Sequence, residues 1–359
     1  MKYQYWLSNI KGLWSGKKLL FIKNNISAQE LYYIEEKTLR KISGLTEADI
    51  TAIINSRNEW DADEKWNQFV MSGYGFVSIE DKAFPKRLRE IADPPYSLCY
   101  KGKLPDDKSK SVAIVGARGR SAYGESIAKK IGRRLAENGV NVISGMARGI
   151  DRDGHMGAID GKGQTYAVLG CGADQCYPRE NRFLYEKIPE AGGIISEYSM
   201  GTAPLPAYFP QRNRIISGLS DATVVVEARL KSGSLITADY ALEQGKDVYV
   251  VPGRVSDPLS QGCNALIKQG AMILNDLDEF IKELGISDDN EYVQMDFRKN
   301  LLEKPEALVY SLLDFCPIGI GTLMEKLPYQ LSELLTILES LESKGLVREN
   351  VPNYFVRLL

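Results

Sequence analysis

The sequence predicts an α/β protein: an extended Rossmann-like, doubly wound core with a helical module before it and a winged-helix module after it. Three observations carry that expectation. Six short apolar runs, SVAIVGA, VNVISG, TYAVLG, GGIISEY, ATVVVEA and DVYVVPG, each close on a glycine or a charged residue. Segments of helical periodicity lie between them, so strand, glycine turn and helix repeat in order. On both flanks the apolar residues recur at helical spacing instead.

Each element has its own local reason. The six runs are apolar at successive positions, the pattern of parallel strands covered by helices on two faces. ESIAKKIGRRLAENG ends at Gly139 and SGSLITADYALEQG at Gly245, each placed where a left-handed C-cap favours glycine. In residues 1–80, AQELYYIEEKTLRKI has helical spacing, and LRKISGLTEADITAII reads as helix, a Ser43-Gly44-Leu45 turn, and a second helix N-capped by Thr46. That pair is either a helix-hairpin-helix unit holding a nucleic-acid phosphate or plain helical packing. Residues 81–285 form the α/β core, and the polar stretch 286–302 predicts a linker. Residues 303–359 then read helix, helix, longer helix and two strands, the order of a winged helix. Its third helix carries Glu333, Glu339 and Glu342 against Lys344, and a phosphate backbone would repel that surface.

Composition narrows the functional classes. The chain has 359 residues, 44% hydrophobic and 26% charged, with a net charge of −2, which is ordinary for a multidomain globular protein. Any nucleic-acid surface is therefore local, and the α/β region does hold a small excess of basic residues. Five cysteines without a C-x-x-C pair, and a single histidine, predict neither a zinc site nor a disulfide framework. A reducing cytoplasm fits, with no signal peptide and no membrane-spanning segment. His155 has no partner of ligand type near it in sequence and is expected to be structural.

Four turns following strands hold the candidate binding residues. GARGRSAYG opens a helix as a dinucleotide fingerprint does, but lacks the G-x-G-x-x-G spacing and a following ribose acid, so a nicotinamide cofactor is not expected. It offers Arg118, Arg120, Ser121 and Tyr123 to an anion. SGMARGID offers close backbone approach at Gly145 and Gly149, with the Arg148 fork; Asp151 either caps the helix or pairs with that arginine. YFPQRNRIISGLS sets Arg212, Asn213 and Arg214 beside Tyr208 and Phe209, either to hold phosphates and stack bases or as solvated or Asp221-paired arginines. EARLKSGSLITADYA supplies Lys231, Gly233, Ser234 and Thr237, the inventory of an anion cradle at a helix start. No Walker loop occurs in the chain, so ATP-driven chemistry is not supported.

DPPYSLCYKG, GARGRSAYG, SGMARGID, FPQRNRIISGLS and SGSLITADYALEQGKDVYVVPG, in that order over about residues 80–280, resemble the DNA-processing protein A (Smf) family of bacterial natural transformation. The resemblance implies a sterile-alpha-motif-like or helix-hairpin-helix module, an extended Rossmann core and a winged-helix module. It implies a non-enzymatic protein without cofactor or metal, which binds single-stranded DNA, protects it and loads the RecA recombinase, and which dimerises through its core. The DNA contacts it implies are Arg118, Ser121, Arg148, Gly149, Arg212, Arg214, Lys231, Gly233, Ser234 and Thr237. A second reading on the same core type is a nucleoside-monophosphate phosphoribohydrolase, whose PGGxGTxxE motif is loosely paralleled by EARLKSGSLITADYALE. The leading PGG is missing here, and Glu227 does not occupy that family's catalytic position.

Overall fold

The computed structural model describes residues 1–286, 302 and 304–358. Six helices open the chain: α1 (Lys2–Ser8), α2 (Ser15–Lys23), α3 (Ala28–Tyr33), α4 (Glu36–Leu39), α5 (Glu47–Glu59) and α6 (Ala62–Met71). They close on Trp6, Phe21, Leu31, Leu39 and Ile53, all fully buried. Thr46 does cap α5, in a reciprocal capping box with Asp49. The helix expected across AQELYYIEEKTLRKI is broken at Ile34 and Glu35, which are extended. Arg57 of α5 donates to the carbonyls of Leu31 and Ile34, satisfying the groups that the break leaves open.

A nine-stranded sheet follows, built from β1 (Gly75–Ser78), β2 (Ser97–Gly102), β3 (Ser111–Val115), β4 (Asn141–Ser144), β5 (Thr165–Val168), β6 (Gly193–Ser196), β7 (Ala222–Val225), β8 (Asp247–Val250) and β9 (Met272–Ile273). Its order is β1-β2-β6-β5-β4-β3-β7-β8-β9. The six apolar runs are β3 to β8, all mutually parallel. β1 and β2 add an antiparallel edge on β6, so the sheet begins at Gly75. Successive strands run outward from β3 through β6, then the chain returns to place β7 on the other side of β3. The C-terminal ends of β3 and β7 thus flank the topological switch point, where open α/β sheets bind ligands.

The remaining core helices are α7 (Lys86–Arg89), α8 (Ala122–Glu137), α9 (Ile150–Asp160), α10 (Arg182–Ala191), α11 (Tyr208–Gly218), α12 (Gly233–Glu243), α13 (Gln261–Lys268) and α14 (Leu277–Glu283). Alternate side chains of β3 serve opposite layers, as strand geometry requires. Val112 and Ile114 pack with Ala128 and Ile131 of α8, whereas Ala113 and Val115 pack with Ile215 of α11 and Ala238 of α12.

The C-terminal part holds α15 (Lys304–Leu312), β10 (Ile318–Gly319), α16 (Ile320–Lys326), α17 (Leu331–Ser343), β11 (Val347–Val351) and β12 (Tyr354–Arg357). Its antiparallel sheet, in the order β10-β12-β11, covers Val309, Leu334, Leu338 and Leu341. Arg348 pairs with Glu125 of α8 at 3.2 Å, and Asp314 with Arg254 at 2.8 Å. The linker expected at 286–302 lies, apart from its two end residues, outside the described residues.

Candidate functional site

The loops at the switch point enclose an open cleft of about 740 Å³, and the second, third and fourth motifs meet the first one there. Arg118 and Gly119 come from the loop after β3, Arg212 and Asn213 from α11, and Arg229, Lys231, Gly233, Ser234 and Thr237 from the loop after β7 and the start of α12. Arg118, Arg229 and Lys231 are exposed, and none of the three forms an ion pair among the described residues.

Arg212 forms the floor. It is 4% exposed, and its Nη1 donates to the carbonyls of Gly145 (2.9 Å) and Val168. Its Nη2 makes no hydrogen bond among the described residues, although the side chain lines the cleft. A Cβ at Gly145 would sit 2.6 Å from that Nη2, so the small turn that ends β4 exists to admit a guanidinium. Asp151 lies nearby, buried, and accepts from the amides of Gly145 (3.1 Å) and Ala147 (3.4 Å). Burial raises its pKa above the usual carboxylate value, against the pull of Arg212 and these amides.

The second half of the floor is the N-terminus of α12. Ser232 caps it, its Oγ accepting from the Ser234 amide at 3.4 Å. A Cβ at Gly233 would meet nothing within 4 Å, so glycine is not demanded there by crowding; its lack of a side chain leaves the backbone N–H open. Thr237 is 1% exposed, and its hydroxyl has no hydrogen-bond partner among the described residues. An uncommitted guanidinium nitrogen, a buried hydroxyl and a helix N-terminus thus line one cleft, and groups of these kinds suit an oxyanion.

The first motif is used differently from the sequence expectation. Ser121 caps α8, and its amide (2.9 Å) and hydroxyl (2.5 Å) both donate to the carboxylate of Glu227, which is 4% exposed. The protein's own acid therefore sits on the helix terminus where a dinucleotide fold places its pyrophosphate. Arg120 is likewise spent, on Asp153 and on Glu125 at 2.6 Å.

Three further residues of the expected set lie outside the cleft lining. Arg214 is buried and held by Glu197 (2.7 Å) and Asp93 (2.9 Å), not by Asp221, which pairs with Arg87 at 3.2 Å. Gly149 has φ 74° and begins α9; a Cβ there would lie 2.2 Å from the Ala117 carbonyl oxygen, so its close approach is to the chain itself. Arg148 is exposed and pairs with Glu180 rather than Asp151. Conversely, Tyr177 and Arg229 line the cleft without having been singled out; Asn213, noted in the third motif, lines it too, and its Nδ2 donates to the Gly233 carbonyl at 3.3 Å, joining α11 to the start of α12.

His155 is structural. The Thr165 hydroxyl donates to the Val142 carbonyl (2.9 Å), so it accepts from His155 Nδ1–H (2.6 Å), which leaves the buried Nε2 bare. Among the described residues no cluster of acids, cysteines and histidines is suited to a metal, and no helix is long and apolar enough to cross a membrane.

Fold and site together define a Rossmann-like protein with a cationic cleft at its switch point. The chain belongs to the DNA recombination-mediator protein A family, whose model matches residues 75–285. It is 43% identical over 206 residues to the DNA processing protein DprA of Streptococcus pneumoniae, covering 57% of this chain and 73% of that one. Identity to protein Smf of Escherichia coli is 36% over 290 residues, covering 79% and 77%. Among solved structures, DNA processing protein A from Streptococcus pneumoniae superposes with a TM-score of 0.70 at 34% identity, covering 79% of this chain and 98% of that one. DNA processing protein A from Helicobacter pylori, studied for its single-stranded DNA binding mode, superposes with a TM-score of 0.53 at 32% identity, covering 59% and 97%.

Proposed function

We propose that this protein binds single-stranded DNA without regard to sequence, through the cleft at the β3/β7 switch point. The observation that carries the reading is the floor of that cleft, where Arg212 Nη2 and the Thr237 hydroxyl have no hydrogen-bond partner among the described residues and the Ser232-capped start of α12 lines the same space. Arg118, Arg212, Lys231, Gly233, Ser234 and Thr237 are the phosphate contacts, with Arg229 added at the rim and Arg148 outside it. Backbone-directed groups of this kind position a strand without reading its bases. The single-strand binding named for the Helicobacter pylori relative supports the same ligand.

From the family come the finer parts of the proposal: protection of incoming DNA and loading of RecA during natural transformation, by a cytoplasmic homodimer that performs no reaction of its own. The engagement of Glu227 by Ser121 favours this over a phosphoribohydrolase, because the acid that opens the fourth motif is committed internally.

Fluorescence anisotropy of labelled oligothymidine and of a matched duplex, with a nucleoside monophosphate as competitor, tests the binding. Salt-sensitive preference for the single strand is expected. Failure to bind either, with cleavage of the monophosphate, would replace the reading with an enzymatic one. RecA nucleation on a single strand, timed with and without the protein, tests loading.

A further inference from the structure

We infer that Tyr177 supplies the surface on which this protein stacks a nucleobase, an inference that rests on the single-strand reading of the cleft. The sequence draws attention to Tyr208 and Phe209, but both rings are already engaged. Tyr208 stacks on Tyr198, with centroids 4.3 Å apart and planes 27° apart. Phe209 is half-buried beneath the Arg118 and Arg212 guanidinium groups, at 5.8 and 6.0 Å from its centroid. Its edge packs so closely on Gly170 that a Cβ there would lie 2.9 Å from Cδ1.

Tyr177 differs from both. It lies in the loop between β5 and α10, lines the cleft, and is 43% exposed. Its ring is backed by Phe209 at a centroid distance of 5.4 Å, tilted 36°, and no other aromatic ring packs on it among the described residues. Its hydroxyl has no partner among the described residues, so hydrogen bonding does not explain the tyrosine. The loop is anchored just beyond it, where Asn181 Nδ2 donates to the carbonyls of Met146 (2.9 Å) and Ala147 (3.2 Å). A supported ring is thus presented on the wall of a cleft whose floor accepts oxyanions. That is the layout of a nucleotide, with its phosphate on the cationic floor and its base against the aromatic wall. Stacking accepts any base, because every base has a π-face.

The test compares the full-length protein with Tyr177→Ala and Tyr177→Phe on two labelled strands of equal length and phosphate count, oligothymidine and an abasic oligonucleotide. Wild type is expected to favour oligothymidine. Tyr177→Ala is expected to bind it about ten-fold more weakly while holding the abasic strand as wild type does, and Tyr177→Phe to behave as wild type. A strand carrying 2-aminopurine is expected to lose fluorescence on wild type and on Tyr177→Phe, and to keep it on Tyr177→Ala. Equal loss on both strands for Tyr177→Ala, or no loss on oligothymidine, would overturn the assignment. If wild type bound neither strand, the single-strand reading itself would fail, and the wild-type titration alone reports that.

Discussion

Arg212 and Arg214 stand two residues apart on α11, which turns their side chains to opposite sides of the helix. Arg212 reaches the cleft floor, and Arg214 closes a buried ion pair with Glu197 and reaches the exposed Asp93 as well. Arg214→Ala leaves Glu197 buried without its partner and is expected to cost about 3–5 kcal/mol in chemical denaturation, with little change in the affinity of the molecules that remain folded. Arg118→Ala removes an exposed cation without an ion-pair partner. Its melting temperature is expected to match wild type, while single-strand affinity falls alike on every base composition and the salt slope shrinks by about 0.7. His155 gives the pH dependence: burial, aided by the charge of Arg212, pushes its pKa down to about 3. Its unfolded value is about 6.5. As pH falls below that, the unfolded chain takes up a proton that the folded one refuses. Stability is then lost toward the folded pKa, by about 1.4 kcal/mol per pH unit from this group alone. Denaturation midpoints of His155→Gln are expected to fall less steeply than those of wild type between about pH 6.5 and 4.5; parallel slopes would show that His155 is not the group responsible.

At the scale of elements, the proposed site depends on which helix terminus an internal carboxylate occupies. Glu227 sits on the start of α8, whereas among the described residues no carboxylate bonds the start of α12, which Ser232 caps. The second turn packs on the loop that leads into α8, since Gly149 lies against the carbonyls of Ala117 and Arg118 with a positive φ. Gly149→Ala is expected to lower stability by more than about 1 kcal/mol in thermal denaturation, from the conformation and the collision together. The parallel strands were legible because burial on both faces forces an uninterrupted apolar run. β1, β2 and β9 were not, since a pair of short strands at an edge is defined by its register with β6 or β8, which local sequence does not encode. The share of the fourth motif in the cleft lining was legible for the opposite reason: Lys231, Gly233, Ser234 and Thr237 are close together in the chain. The split between Arg212 and Arg214 was hidden, because Glu197 and Asp93 arrive from distant segments. Tyr177 was hidden as well, being a lone aromatic in a loop without periodicity.

Across the whole molecule, charge is unevenly distributed. The cleft brings together Arg118, Arg212, Arg229 and Lys231, while α17 carries Glu333, Glu339 and Glu342 on the C-terminal part. A chain ending at Ile286 is therefore expected to hold single strands at least as tightly as the full protein in anisotropy titrations; a marked loss would move part of the DNA surface to the C-terminal residues. The N-terminal helices belong with the sheet in such a variant, because Ser8 and Ser97 share a buried hydrogen bond of 2.7 Å and Tyr5 meets Phe76 edge-on at 5.3 Å. The central claim is that the switch-point cleft holds the strand. Its most direct test is the salt-dependent affinity of an Arg118→Ala, Lys231→Ala double variant, confirmed as folded, for oligothymidine and oligoadenosine beside wild type. Equal weakening on both strands with a shallower salt slope is the expected result. Wild-type affinity in the double variant would contradict the account, and so would a loss confined to one base.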